Sequence, residues 1–385
     1  MKGSAMQGKS MHIRLRVTVA GVSAIGTLIT AATAGSQTAL ASSNAAIQGG
    51  LQAFAVSGTY HFQQLFSGAD GQLWFVTANS QLGKISSTGQ AALTTVVLPH
   101  GGVPAVVAGA GSAGVWSYAN DVTSTFSAGA CTVTLVTPGG VVEPVTLPAI
   151  AAPSYCGGAA ADAGGNLWVS LANPCGAFTC GRRVSFVAEI SPSRVVTLLP
   201  PVRPGAHAGP VTLGNDGAIW TLGGDPLMTM GRYTTTGSTT GIQIPIGGAL
   251  VRLLPSSGGM FWGARPVLCI GQTSLFCLRI DRFSPGAATA NFFIFPVGIN
   301  LSGSYQLAVD SAGLLWQAGG ERSEPDRFFR MNADGTIDRS SAFPTPGGSA
   351  LHSDGTLAVA MNGALWTSAQ TTAGHEYLVE FVPTP

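Results

Sequence analysis

Seven tryptophans punctuate the chain, and their surroundings repeat. Trp74, Trp116, Trp168, Trp220, Trp262, Trp316 and Trp366 are every Trp in the 385 residues, at intervals from 42 (Trp74 to Trp116) to 54 (Trp262 to Trp316). Upstream of each lies one frame, as in Ala69-Asp-Gly-Gln-Leu-Trp74, Asn215-Asp-Gly-Ala-Ile-Trp220 and Met361-Asn-Gly-Ala-Leu-Trp366. Gly stands three residues before Trp in every unit except the second, where Ala113 takes its place. Asp-Gly and Asn-Gly between apolar runs predict a tight hairpin, because these residues accept the positive φ of its turn. Downstream come a variable loop, a strand, a turn such as Thr137-Pro-Gly-Gly140 or Asn332-Ala-Asp-Gly335, and a last strand. That strand ends in proline, at Leu98-Pro99, Leu147-Pro148, Leu199-Pro200, Ile244-Pro245, Phe295-Pro296 and Phe343-Pro344. Proline cannot donate to a ladder and so belongs at a strand end.

Four antiparallel strands per unit make the blade of an all-β, seven-bladed β-propeller over residues 51–385. The seventh unit has no fourth strand after Tyr377-Leu-Val-Glu-Phe-Val382, while Leu51-Gln-Ala-Phe-Ala-Val56 precedes the first unit without a partner. The N-terminal strand is therefore expected to complete the last blade and close the ring, removing exposed sheet edges. The tryptophans sit at equivalent strand positions, which assigns them to packing between blades.

Ahead of the repeat, Arg14 and Arg16 precede an uncharged apolar run to Gly35 and the small-residue triplet Ala39-Leu40-Ala41. This predicts a signal peptide over 1–41, with Met11 a plausible start, followed by a linker over 42–50. A retained signal-anchor is the alternative. The expected mature protein is secreted, a monomer, and without a membrane span. Removing Lys2, Lys9, Arg14 and Arg16 leaves 14 basic against 17 acidic residues, a balance of −3 with no electrostatic case for nucleic acid.

All six cysteines lie in the mature part, which fits disulfides in an oxidising compartment. Cys175 with Cys180, and Cys269 with Cys277, each flank one loop after a Trp strand and are expected to pair locally. Cys131 with Cys156 is left, at the same end of adjacent blades.

Asp-Gly-Gln-Leu-Trp74-Phe, Gly-Asn-Leu-Trp168-Val, the strand-ending Leu-Pro pairs and Phe343-Pro-Thr-Pro346 resemble the virginiamycin B lyase (streptogramin lyase) propeller family across nearly all of the mature chain. Sialidase Asp boxes are a lesser likeness, since no unit has Thr before its Trp. The lyase resemblance implies a magnesium-dependent elimination that opens a cyclic depsipeptide ester, using a histidine base and acidic metal ligands at the channel mouth. The family's histidine sits 11 or 10 residues before a Trp. Here those positions hold Gln63, Ala105, Gly157, Gly209, Val251, Tyr305 and Gly355, then Gln64, Val106, Gly158, Pro210, Arg252, Gln306 and Thr356. Three residues after Trp, where the family carries an acid, no carboxylate occurs. Neither base nor hard-cation ligand carries over.

The expectation is therefore a binding module for a small molecule, glycan or protein, without a cofactor. Its elaborated face carries the loops 120–130, 173–183, 265–277 and 319–327, with Gln63, Tyr305, Arg265, Arg322 and Asp326 as candidate ligand contacts. Glu321, Arg322, Glu324, Asp326 and Arg327 cluster in the last loop, where a solvated role is an equal reading. The alternative is a divergent lyase or a lactone or ester hydrolase using His207, Arg265 and Tyr305, with Mg²⁺ or Ca²⁺. His100 and His352 lie in loops comparable to that of His207. Asp70 and Asp216 are read as turn residues rather than metal ligands.

Overall fold

The computed structural model describes residues 48–384, apart from segments in the turns and connections that include 99–104, 121–130, 149–154, 173–184, 200–208, 269–275, 295–305 and 321–325. The chain opens with strand β1 (Gly49–Ala55). Blade 1 is β2 (Phe62–Ser67), β3 (Leu73–Thr77), β4 (Gln81–Ile85) and β5 (Ala91–Val97). Blade 2 is β6 (Ala105–Val107), β7 (Val115–Asn120), β8 (Cys131–Val136) and β9 (Val142–Val145). Blade 3 is β10 (Tyr155–Ala161), β11 (Leu167–Ala172), β12 (Ser185–Ile190) and β13 (Val196–Leu199). Blade 4 is β14 (Val211–Leu213), β15 (Ile219–Gly223), β16 (Thr229–Tyr233) and β17 (Thr240–Gln243). Blade 5 is β18 (Arg252–Pro255), β19 (Phe261–Leu268), β20 (Phe276–Phe283) and β21 (Asn291–Ile294). Blade 6 is β22 (Ala308–Val309), β23 (Leu315–Gly319), β24 (Arg327–Met331) and β25 (Ile337–Ala342). Blade 7 has β26 (Leu351–Ser353), β27 (Ala358–Val359), β28 (Leu365–Thr371) and β29 (Glu376–Pro383).

Each blade is an antiparallel meander with its strands in sequence order. The exception is the last, where β1 lies antiparallel on the outer edge of β29, from Gly49 opposite Pro383 to Ala55 opposite Tyr377. Thr384 donates its N–H to the Gln48 carbonyl at 3.0 Å, extending the clasp by one rung. The first strands touch in a closed cycle, β2 to β6, β10, β14, β18, β22, β27 and back to β2. That cycle lines the channel of the seven-bladed all-β propeller. Among the described residues, no helix is long and apolar enough to cross a membrane.

The core is a series of apolar layers between neighbouring blades. Each Trp lies in a layer shared with the next blade: Trp116 with Leu167 and Val169, Trp168 with Val211 and Ile219, Trp366 with Phe62 and Phe75. Trp116, Trp168, Trp262 and Trp316 are essentially inaccessible. Burying an indole also buries an N–H, which needs an acceptor. Asp162, Asp216 and Asp310, in the turns before their own Trp, accept from Trp168, Trp220 and Trp316 at 2.8–3.1 Å. Trp116 and Trp262 instead donate to Gly165 and Gly313 in the next blade's turn. Both glycines sit at φ near 80°, where a side chain is strained. Asp216 also accepts from Arg232 Nε at 2.8 Å, so its role is to hold the turn.

On the third strand, the residue opposite Trp is a cation in four blades. Lys84 lies 4.0 Å from the Trp74 ring centroid, and Arg282 and Arg330 lie 5.4 and 5.6 Å from those of Trp262 and Trp316. Arg232 stands 6.0 Å from that of Trp220. Blades 3 and 7 place Glu189 and Glu380 there instead, and burial pushes both carboxyls above the usual range.

Candidate functional site at the channel mouth

The first strand of each blade begins at the end of the channel where the connections between blades and the second-to-third-strand loops emerge. The ladders place Tyr155 opposite Ala172, Arg252 opposite Ala264, Phe62 opposite Thr77 and His352 opposite Gln370, all at this end. Two blades carry a β-bulge at the head of the first strand, with Gln63 and Gly157 as the extra residues. A bulge frees backbone groups from the ladder and re-aims them. The Gln63 carbonyl accepts from Gln306 Nε2 at 3.2 Å, and Gln306 Oε1 accepts the Leu357 N–H at 3.0 Å. One glutamine thus ties blades 6, 7 and 1 together at the mouth.

Blades 6, 7 and 1 supply a carboxylate-rich arc. Glu376, almost fully buried, accepts the backbone N–H of Tyr60 at 2.6 Å and of His61 at 2.7 Å, and stands 3.4 Å from His61 Nδ1. His61 has φ 49° and a side chain 64% exposed, so a non-glycine residue is held in a strained backbone state by one buried carboxylate. Asp354 accepts from Gln370 Nε2 at 2.8 Å. Burial pushes its carboxyl up, hydrogen bonds from Ser368 and Gln370 pull it down, and the charge of Glu376 adds to the rise. Asp326 accepts the Ser353 N–H at 2.6 Å and lies 3.7 Å from His352 Nδ1. Its pKa is also raised, burial outweighing Ser353 and His352.

Blades 2, 3 and 5 carry a different chemistry. Tyr118 on β7 packs against the layer beneath the Cys131–Cys156 disulfide, which staples blade 2 to blade 3 with a Cα–Cα distance of 5.3 Å. Tyr155, next to Cys156, is exposed. Arg252 is exposed at the head of β18. Burial raises the Tyr118 phenol pKa, with the charge of Arg252 lowering it and Tyr155 adding to the rise.

Several residues singled out in the sequence are placed differently from expectation. Arg265 is not in a loop: β19 continues to Leu268 and β20 begins at Phe276, so the expected 265–277 loop is shorter at both ends. Arg265 pairs across strands with Arg279, and both hold Asp281, which has no exposure at all. Arg265 Nε and Asp281 Oδ2 face each other at 3.1 Å without the alignment of a hydrogen bond, while Arg279 donates to Asp281 at 2.8–2.9 Å and covers Phe292. Arg265 is thus committed to a buried ion triad on the face of blade 5 that looks toward blade 4. Cys277 lies in β20, opposite Val267. Asp326 is buried between blades rather than solvated, because the last blade's Ser353 and His352 cover it. His352 belongs to a strand, β26, and not to a loop. His100, His207, Tyr305, Arg322, Asp70, Cys175, Cys180 and Cys269 lie outside the described residues.

Sequence reasoning missed His61, Glu376, Tyr118 and Arg252. Only Arg252 had a signal, as one of the strand-head positions counted back from Trp.

No protein-family model matches the chain, and no curated protein matches it. Solved structures do. A streptogramin B lyase superposes with TM-score 0.56 at 16% identity, over 87% of this chain and 98% of that one. A catalytically inactive virginiamycin B lyase from Staphylococcus aureus with quinupristin gives 0.56 at 15%, over 88% and 100%. YCF48 bound to D1 peptide gives 0.53 at 12%, over 89% and 98%. At such identities the likeness is one of fold. The chain is a seven-bladed β-propeller of the architecture shared by streptogramin B lyases and by a peptide-bound propeller.

Proposed function

We propose that the protein is a secreted binding module that takes its ligand at the channel mouth. The observation that carries this reading is the sorting of mouth chemistry into two arcs. Among the described residues, carboxylates and histidines occupy blades 6, 7 and 1, while Arg252 and two phenols occupy blades 2, 3 and 5. A closed ring holds the arcs apart, so a polar ligand meets prepositioned groups of opposite kind. The virginiamycin B lyase with quinupristin and the YCF48 propeller bound to D1 peptide are consistent with ligand capture on this fold.

Hydrogen-exchange footprinting of the mature protein with a panel of short peptides, saccharides and carboxylic acids tests the reading. Protection is expected at residues 60–64, 155–158 and 354–357. Ligands that protect only the outer strands or the Asp-Gly turns would defeat it. Export is tested separately: protein recovered from the medium should begin at Ser42.

The second reading, a divergent lyase or hydrolase, draws on His61, whose strained backbone and buried Glu376 partner hold an exposed imidazole. A magnesium ion fits the described residues poorly. No three His, Cys, Asp or Glu among them converge into a metal-holding group, and Glu376, Asp326 and Asp354 already accept backbone or side-chain N–H groups. Purified protein with Mg²⁺ is expected to leave a streptogramin B ring closed at the buffer rate. Linearisation that disappears in His61→Ala or His207→Ala would establish the enzyme instead.

A further inference from the structure

The seam between blades 4 and 5 holds charges that the repeat does not call for. On each third strand, the residue before the one opposite Trp faces the preceding blade, and six blades keep it uncharged: Gly83, Thr134, Ala188, Gly231, Phe329 and Val379. Blade 5 puts Asp281 there, with no exposure at all. Three residues after Trp, Arg265 is likewise the one charged residue among the seven units. Arg279 lies directly opposite Arg265 on the ladder. Like charges opposed across strands are destabilising, and a buried ion cluster supports a fold less well than apolar side chains of the same volume. Packing alone would have kept this seam apolar.

The cluster is also unbalanced. Arg279 donates its Nε–H to Asp281 Oδ1 at 2.9 Å and brings Nη2 to 2.8 Å from the same oxygen. Arg265 Nε stands 3.1 Å from Oδ2, yet both of these inaccessible atoms lack an aligned partner. One carboxylate thus faces two guanidiniums, which do not deprotonate. Burial lowers the Arg265 pKa, the charge of Asp281 raises it, and the charge of Arg279 lowers it again. No second carboxylate among the described residues pairs with either arginine. On the blade 4 side of the seam, Leu222 and Met230 are buried with Leu253 and Phe283 of blade 5, so the described wall there is apolar. The Arg265 and Arg279 side chains are 14% and 27% exposed, which leaves the surplus positive charge poorly hydrated but open to a small solute.

We infer that Arg265, Asp281 and Arg279 form a small-oxyanion site at the mouth end of the seam between blades 4 and 5, completed by a carboxylate or phosphate group that restores the charge balance. Asp281 sets the two guanidiniums side by side, and the oxyanion takes N–H groups that Asp281 leaves unused, through charge-assisted bonds. Phe292, exposed and 4.1 Å from Arg279 Cζ at its ring centroid, gives the site an apolar border. The inference goes beyond the binding reading above and does not rest on it, since none of these residues belongs to either arc.

The test is thermal unfolding of the mature protein in chloride, acetate and phosphate at neutral pH and one ionic strength. At least one oxyanion is expected to raise Tm saturably by about 2 °C or more over chloride, and the one that does so assigns the carboxylate or the phosphate class. Phosphate also stabilises proteins by exclusion from their surface, so the increment counts only where Arg265→Gln loses it. That variant leaves Arg279 and Asp281 as a balanced pair. In chloride it should melt at or above the parent, and the oxyanion increment should vanish. A triad that served the fold alone would give the opposite sign, a lower Tm for Arg265→Gln in chloride. That drop overturns the site, as does an equal parent Tm in the three salts or an increment that Arg265→Gln retains.

Discussion

The two ends of the channel are built on opposite plans. At the Asp-Gly end the blades repeat one another: a turn, in five blades an indole shown clamped by a turn carboxylate or carbonyl, and in four a cation over the ring. At the mouth the described residues repeat less: a buried carboxylate holding backbone N–H groups beside a histidine recurs only at Asp326 and Glu376, a bulge only at Gln63 and Gly157, while Gln306 and Arg252 each appear once. Repetition is what packing demands of a ring, because each blade presents the same surface to the next. Departure from repetition has no such cause, and it concentrates on one face. The arginines of blade 5 sharpen the contrast: Arg265 holds the buried Asp281, while Arg252, whose ladder partner Ala264 adjoins Arg265, pairs with no carboxylate among the described residues.

Breaking the ring itself should have the largest effect. Removing residues 42–57 takes β1 from the outer edge of β29 and leaves two open edges, so soluble yield or cooperative unfolding should be lost. A truncated protein that melts like the parent would show that closure is not what unites the blades. Next comes the repeating layer: Trp316→Ala should cost about 3–5 kcal/mol, measured by denaturant unfolding, because a fully buried indole leaves a cavity and Asp310 Oδ2 loses its donor.

Asp281→Ala isolates the interior arginines. Arg265 would remain buried beside Arg279 without a counter-charge, at a cost of about 3 kcal/mol or more, against no change for Arg252→Ala. Similar losses in both would erase the distinction between committed and free cations.

The smallest expected effect lies at Asp326. Its folded pKa is raised, so its protonated form is favoured in the fold, and its stabilising contribution is full below the unfolded carboxylate value and lost as pH rises through the folded one. Asp326→Asn keeps an acceptor for the Ser353 N–H and has no charge to bury. It should be slightly more stable than the parent near neutrality, the gap closing below about pH 4. A gap that widens on acidification would mean the His352 contact outweighs burial.

The blades were legible because their signal is local. A six-residue frame containing Asp-Gly and Trp reports turn, strand and packing position together, and counting frames counts blades. The closing strand was legible by its lack of a partner. The mouth was not, since Glu376 meets His61 across more than three hundred residues of chain and Gln306 reaches Gln63 across more than two hundred. Such pairs exist only after the ring has formed. The 265–277 loop was misjudged because extra residues after Trp262 can lengthen the strands as well as the loop, and here β19 and β20 each run to 8 residues. β18 pairs with β19 only from Phe261 to Ala264, so Pro266 lies beyond the last inner rung, where that flank carries no ladder and proline is tolerated.

The clasp between β1 and β29 also sets an order of events. β1 is made first and its ladder partner nearly last, so the strand must wait unpaired while seven blades are synthesised. Long-range pairing of this kind slows folding and exposes an edge in the meantime. It also makes the finished ring hard to open from either end, since releasing one terminus releases the other.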